Sequence, residues 1–105
     1  VPADARLEAK ALRWIRSDDK DVRREGASAM ELFPSDANAA ILKGLLDDPA
    51  SWDVLMHEGA RDREERVYSV REEATSILEA WGYEVPPRVL REPVPAESRP
   101  APRAR

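Results

Sequence analysis

The chain has one histidine, His57, followed by Glu58, and this pair is half of the His-Glu-x-x-His spacing that sets two imidazoles one helical turn apart around zinc. The second histidine is missing, so no zinc centre is expected. Asp18, Asp19 and Asp21 begin like a calcium loop, but the glycine and the later bidentate glutamate that complete such a loop do not follow. Their oxygens are better placed to cap the unpaired N–H groups of a helix starting near Val22. Glu64-Glu65 and Glu72-Glu73 pair carboxylates as an acid–base couple would. They lie in charged runs or on polar faces, where neither burial nor a neighbouring cation is expected to tune one against the other. Cysteine is absent, which removes disulfides, thiolate metal sites and a thiol nucleophile. Gly26, Gly44, Gly59 and Gly82 are isolated and cannot form a phosphate cradle, and the serines sit at helix starts with no histidine to relay a proton. These residues give no catalytic group, no metal site and no cofactor site.

Binding is a better match to the residue types. Tryptophan and arginine dominate the energetics of protein interfaces. Trp52, Leu55, Met56 and Gly59 recur at offsets 0, 3, 4 and 7, the spacing of one helical face. That face is expected either to cap the end of the fold or to bind another chain. Trp14 and Trp81 lie on apolar stripes and are assigned to the core. Arg99, Arg103 and Arg105 sit in a basic end segment and complete the expected partner-binding set with Trp52, Leu55 and Met56.

The elements that must position these residues show an internal repeat. Shifting the chain by 48 lays residues 22–33 over residues 70–81 and matches Val22 with Val70, Arg23 with Arg71, Glu25 with Glu73, Ser28 with Ser76 and Glu31 with Glu79. Both segments carry apolar or small residues at offsets 0, 4, 7, 8 and 11. Val22, Gly26, Ala29, Met30 and Phe33 make one stripe; Val70, Ala74, Ile77, Leu78 and Trp81 make the other. The small residues Gly26 and Ala74 share an offset at which a neighbouring helix can come close.

Val-Arg, then small residues, then Ala/Ile-Met/Leu before a closing aromatic resembles the first helix of HEAT repeats, in particular the short bacterial kind also found in phycobilisome-lyase relatives. The resemblance covers about residues 18–48 and a shortened unit at 66–91. Asp19 stands where the family carries an Asp ahead of the Val, whereas Val67 occupies the matching place in the second unit. The resemblance implies an all-α fold, a short right-handed α-solenoid (armadillo-like) of about five helices. It further implies a non-catalytic scaffold or accessory subunit that binds another protein. A small regulatory or immunity protein masking an enzyme, and a bilin-lyase-like accessory protein, are the alternatives.

The remaining helices follow from periodicity and punctuation. Leu7, Ala11, Leu12, Trp14 and Ile15 predict a helix over 4–16, and Pro34 closes the one after it. Ser35-Asp36 caps a third helix to about 47, ahead of Pro49, and Ser51 opens a fourth through Trp52. Arg61–Arg66 reads as a solvated helix end or loop. Ser69 and Glu72 have capping-box spacing for a fifth helix that stops at Gly82. Val89-Leu90 is the only apolar pair able to form a short docking helix beyond it. Domain organisation is thus a helical domain over 1–91 and an extended Pro/Arg-rich tail over 92–105.

Charge narrows the partner. Residues 1–87 carry 12 Lys/Arg against 19 Asp/Glu, whereas residues 88–105 carry five Arg against two Glu. An acidic body repels phosphate backbones and argues against nucleic acid. No apolar run reaches the length of a membrane span, and residues 1–6 lack the layout of a signal peptide. Val1 stands where a methionine would, which leaves room for a targeting segment ahead of it, and the cytoplasm is the default expectation.

Overall fold

The computed structural model describes residues 3–95. In chain order the elements are helix α1 (Ala3–Ile15), helix α2 (Lys20–Ala29) running into a 3-10 turn (Met30–Leu32), and helix α3 (Asp36–Gly44). Strands β1 (Trp52–Glu58) and β2 (Arg61–Val67), helix α4 (Ser69–Ala80) and strand β3 (Arg91–Pro93) follow.

Four of the five expected helices are present, and their ends follow the local chemistry. Asp19 caps α2 by accepting from the backbone N–H groups of Asp21 and Val22 at 2.9 and 3.3 Å. Ser35 caps α3 by accepting from Asn38 N at 3.0 Å. Helix α4 starts at Ser69 as expected, but no side chain caps it and the expected capping box does not form. Tyr68 holds the cap position because its N–H is already donated to Leu90 O at 2.9 Å, so the chain passes directly from sheet to helix.

The all-α solenoid is overturned at residues 52–67. The stretch assigned to a fourth helix, together with the charged run behind it, forms an antiparallel hairpin, and β3 adds to β2 to give a sheet in the order β1-β2-β3. The architecture is mixed α/β. Gly59, expected on a helical face, is the first residue of a two-residue turn and has a φ of +58°, a conformation glycine adopts without steric cost. Val89-Leu90 forms no helix. The expected domain division at residue 92 falls inside β3, and Val94 just beyond it is buried.

The repeated stripes do mark equivalent helices. Gly26, Ala27 and Met30 of the first segment are buried, as are Val70, Ala74, Ile77 and Leu78 of the second. Helix α2 packs between α1 and α4, and α3 lies against α4. The core joins these with Ala11, Ile15, Ala39, Leu42, Leu45 and Leu46. Trp81 is half-buried against its margin, whereas Trp14, expected in the core, is half-buried in a surface groove with Leu7, Leu32 and Phe33. The buried amide of Asn38 donates to Glu8 at 2.8 Å and to Phe33 O at 2.7 Å, which removes the cost of an unpaired polar group.

The matched arginines converge on one residue. Arg23 forms a two-point ion pair with the Asp48 carboxylate at 2.9 and 3.1 Å, and Arg71 donates to the Asp48 carbonyl at 2.8 Å. Asp48 also accepts from Ala50 N at 2.9 Å. One residue thereby fastens α2, α4 and the approach to β1.

Glu73 departs from the expectation of unperturbed carboxylates. Partial burial raises its pKa above the ordinary range, the Glu31, Glu72 and Glu25 carboxylates add to the rise, and Arg24 opposes it. A carboxyl whose pKa is higher in the folded than in the unfolded chain costs nothing at low pH; the penalty sets in as the pH passes the unfolded value and is complete above the folded one. Glu73→Gln is therefore expected to stabilise the protein at pH 7, by no more than about 0.5 kcal/mol because the group is partly solvated. The gain should disappear as the pH falls below about 4. Urea midpoints of both proteins at pH 7 and pH 4 check this, and an equal difference at the two values would contradict it.

Candidate functional site

The expected binding residues Trp52, Leu55 and Met56 lie on β1, so alternation along a strand, not a helical turn, decides where each points. Trp52, Val54 and Met56 share one face, while Asp53, Leu55 and His57 share the other. Trp52 is half-buried against the core. Its indole N–H donates to Asp21 at 2.9 Å, and Lys20 and Arg24 lie over the ring at 4.6 and 4.8 Å. Lys20 Nζ also donates to Ser51 O. Trp52 is thus the anchor that seats the hairpin on the first turn of α2.

Beyond this anchor the hairpin stands away from the helices. Every residue from Asp53 to Arg63 except the half-buried Met56 is exposed. Leu55 is 53 % and Val54 40 % exposed, which leaves two large apolar side chains open to solvent on an edge strand. The polar residues around them pair across the hairpin. Arg66 bonds Asp53 at 3.1 Å, His57 Nδ1 lies 2.6 Å from Asp62, and Arg63 bonds Glu58 at 3.1 Å across the hairpin and Glu65 at 2.9 Å along its own strand. These short-range pairs keep the strands in register where no core supports them.

The other side of the sheet is tied down. Arg91 of β3 donates to Glu72 of α4 at 3.0 Å and to Glu65 of β2 at 3.3 Å. The Tyr68 hydroxyl donates to Glu92 at 2.6 Å, and this bond is the main reason its pKa lies above the ordinary tyrosine value. β2 is therefore paired on both sides from Glu65 to Val67, and β3 is tied to α4 through Arg91. Among the described residues, no strand pairs with the outer side of β1.

The chain matches no family model, no curated protein and no solved structure.

Other surfaces offer less. A groove of about 710 Å³ follows Glu79, Gly82, Tyr83, Glu84, Val85, Pro86 and Pro87, and its acidic groups are two separated glutamates. Leu7 and Leu32 are exposed beside Trp14 and Phe33 at the free side of α1. Among the described residues no three His, Asp or Glu side chains gather where they could hold a metal ion, and no helix is long and apolar enough to cross a membrane. Arg99, Arg103 and Arg105 lie outside the described residues.

Sequence reasoning missed Val54, Asp53 and the charged partners on β2. The signal for them was a pair of seven-residue runs flanking Gly59-Ala60, in which Asp53 meets Arg66, His57 meets Asp62 and Glu58 meets Arg61 when the second run is read backwards.

Proposed function

We propose that the protein is a non-catalytic protein-binding module that docks its partner by strand addition to the outer edge of β1. The observation that carries this reading is an edge strand of seven residues, held clear of the helices and bearing exposed Val54 and Leu55. Exposed strand edges present unpaired backbone N–H and C=O groups, and soluble proteins ordinarily blunt or cover them. Here the side chains at the middle of the edge are apolar instead of charged. An extended partner segment gains backbone hydrogen bonds along β1, while Val54 and Leu55 supply apolar contact on opposite faces.

A photo-crosslinking residue at position 55, compared with one at position 7 on the exposed face of α1, tests the reading. Cross-linking of a polypeptide at 55 and not at 7 is the expected result. Absence of any protein adduct at 55, or equal adducts at both positions, would overturn it.

A further inference from the structure

We infer that the partner of the β1 edge is a second copy of this chain, joined about a two-fold axis at Leu55 to make a continuous six-stranded antiparallel sheet. This rests on the reading of β1 as a protein-docking edge and names its occupant. The argument begins with the direction of the backbone groups. In an antiparallel hairpin with a two-residue turn, the pair flanking the turn exchanges hydrogen bonds inward, and inward and outward residues then alternate. Glu58 and Arg61 flank the turn, so Trp52, Val54, Met56 and Glu58 bond toward β2, while Asp53, Leu55 and His57 turn their N–H and C=O groups outward. The far side of β2 obeys the same alternation. Glu64 O accepts from Val94 N at 3.2 Å and Tyr68 N donates to Leu90 O at 2.9 Å, both on even-numbered residues directed away from β1.

Two antiparallel strands related by a two-fold axis perpendicular to their sheet must pair residues of the same face, so the axis passes through a residue and not between two. With the axis at Leu55, Leu55 meets Leu55, and Asp53 meets the second copy's His57 on either side. All of the outward groups of both strands, and no others, then find partners. With the axis at Val54 or Met56, either His57 or Asp53 is carried beyond the opposing set and must look outside the strand for a partner.

Side chains support the same register. On one face Leu55 lies against its own copy. On the other Val54 lies against the second copy's Met56, which places apolar groups together across the seam. The charges alternate in a row: Glu92, Arg66 and Asp53 of one chain stand in register, followed by the second copy's His57 and Asp62. Each inner member of this row has an opposite or hydrogen-bonding neighbour on both sides, each end member has one on its inner side, and no like charges meet. The outer edges of the assembly are also blunted. β3 is only three residues long, with Pro93 inside it and Pro95 two residues after it, and proline cannot extend a ladder; the part of β2 that β3 does not reach carries the charged Arg61, Asp62 and Arg63.

Sedimentation equilibrium of the intact chain, combined with amide exchange at two protein concentrations, is the first measurement. A mass of twice 11.8 kDa is expected, with protection of the Asp53, Leu55 and His57 amides that grows with concentration. Leu55→Lys and Leu55→Glu each place like charges on the axis and are expected to weaken association about tenfold or more. Mixing these two variants should restore the dimer, because only a residue that meets itself can be rescued in this way; the mixture also shows that each variant still folds. A monomer with unprotected β1 amides overturns the inference, and so does a dimer indifferent to Leu55 or a mixture that stays dissociated. A monomer whose position-55 probe captures a different protein, or whose β1 amides are protected at every concentration by the chain's own end, overturns self-pairing. The first of these outcomes leaves the docking edge standing; the second removes both.

Discussion

Leu78→Ala is expected to lower the stability of this protein by about 2–5 kcal/mol, a large part of the ~5–15 kcal/mol typical of a domain. Leu78 is fully buried in α4 and belongs to the cluster formed by Val70, Ala74 and Ile77 with Met30 of the 3-10 turn after α2 and Leu42 of α3. Truncation removes apolar surface and leaves a void between helices whose backbones are fixed by the Arg23 and Arg71 contacts to Asp48, so collapse is incomplete. The urea midpoint should fall with little change in slope, and Tm should drop by about 10 °C or more. A loss smaller than ~0.5 kcal/mol would place Leu78 outside the core.

Gly26→Ala should destabilise by about 1–3 kcal/mol, against the direction of helix propensity. Alanine in a helix interior ordinarily gains close to 1 kcal/mol over glycine. At this position a Cβ would lie 2.7 Å from Ile15 N, 2.8 Å from Trp14 Cβ and 3.0 Å from Ala11 O. Two of those atoms are backbone of α1 and cannot rotate aside, so the helix pair must separate. Gly44 provides the contrast, since nothing lies within 4 Å of a Cβ built there. Gly44→Ala is expected to be neutral or stabilising by up to about 1 kcal/mol. Thermal melts of both variants decide the matter, and the same sign in both would refute the close approach of α1 and α2.

These two sites belong to the part of the fold that local sequence describes well. Gly26 and Leu78 fall on stripes of regular spacing over twelve residues; the second stripe is the buried face of α4, and the first reaches the core at Gly26 and Met30. The hairpin was illegible for a physical reason. Trp52, Leu55, Met56 and Gly59 satisfy helical spacing, while Trp52, Val54 and Met56 satisfy strand alternation, and seven residues are too few to separate the two periods. What decides the outcome is pairing with β2 and, through it, with Arg91–Pro93, about two dozen residues farther along the chain. A window of local sequence does not contain that partner. The helical geometry expected for these residues is therefore replaced by that of a strand: Leu55 lies exposed on an edge, whereas Trp52 serves as the root of the arm.

The separation of root from tip divides the molecule by the kind of change it tolerates. A substitution near Trp52 or Asp48 disturbs contacts on which the helices depend, and selection for folding will act on it. A substitution at Ala60 or at the start of β2 touches solvent on most sides, so folding places little restraint on it, whereas Gly59 is held to glycine by its positive φ. Related chains that keep the self-pairing edge should accordingly diverge fastest at Ala60, Arg61 and Arg63, while Asp53, Leu55 and His57 change only together and the helical platform stays constant.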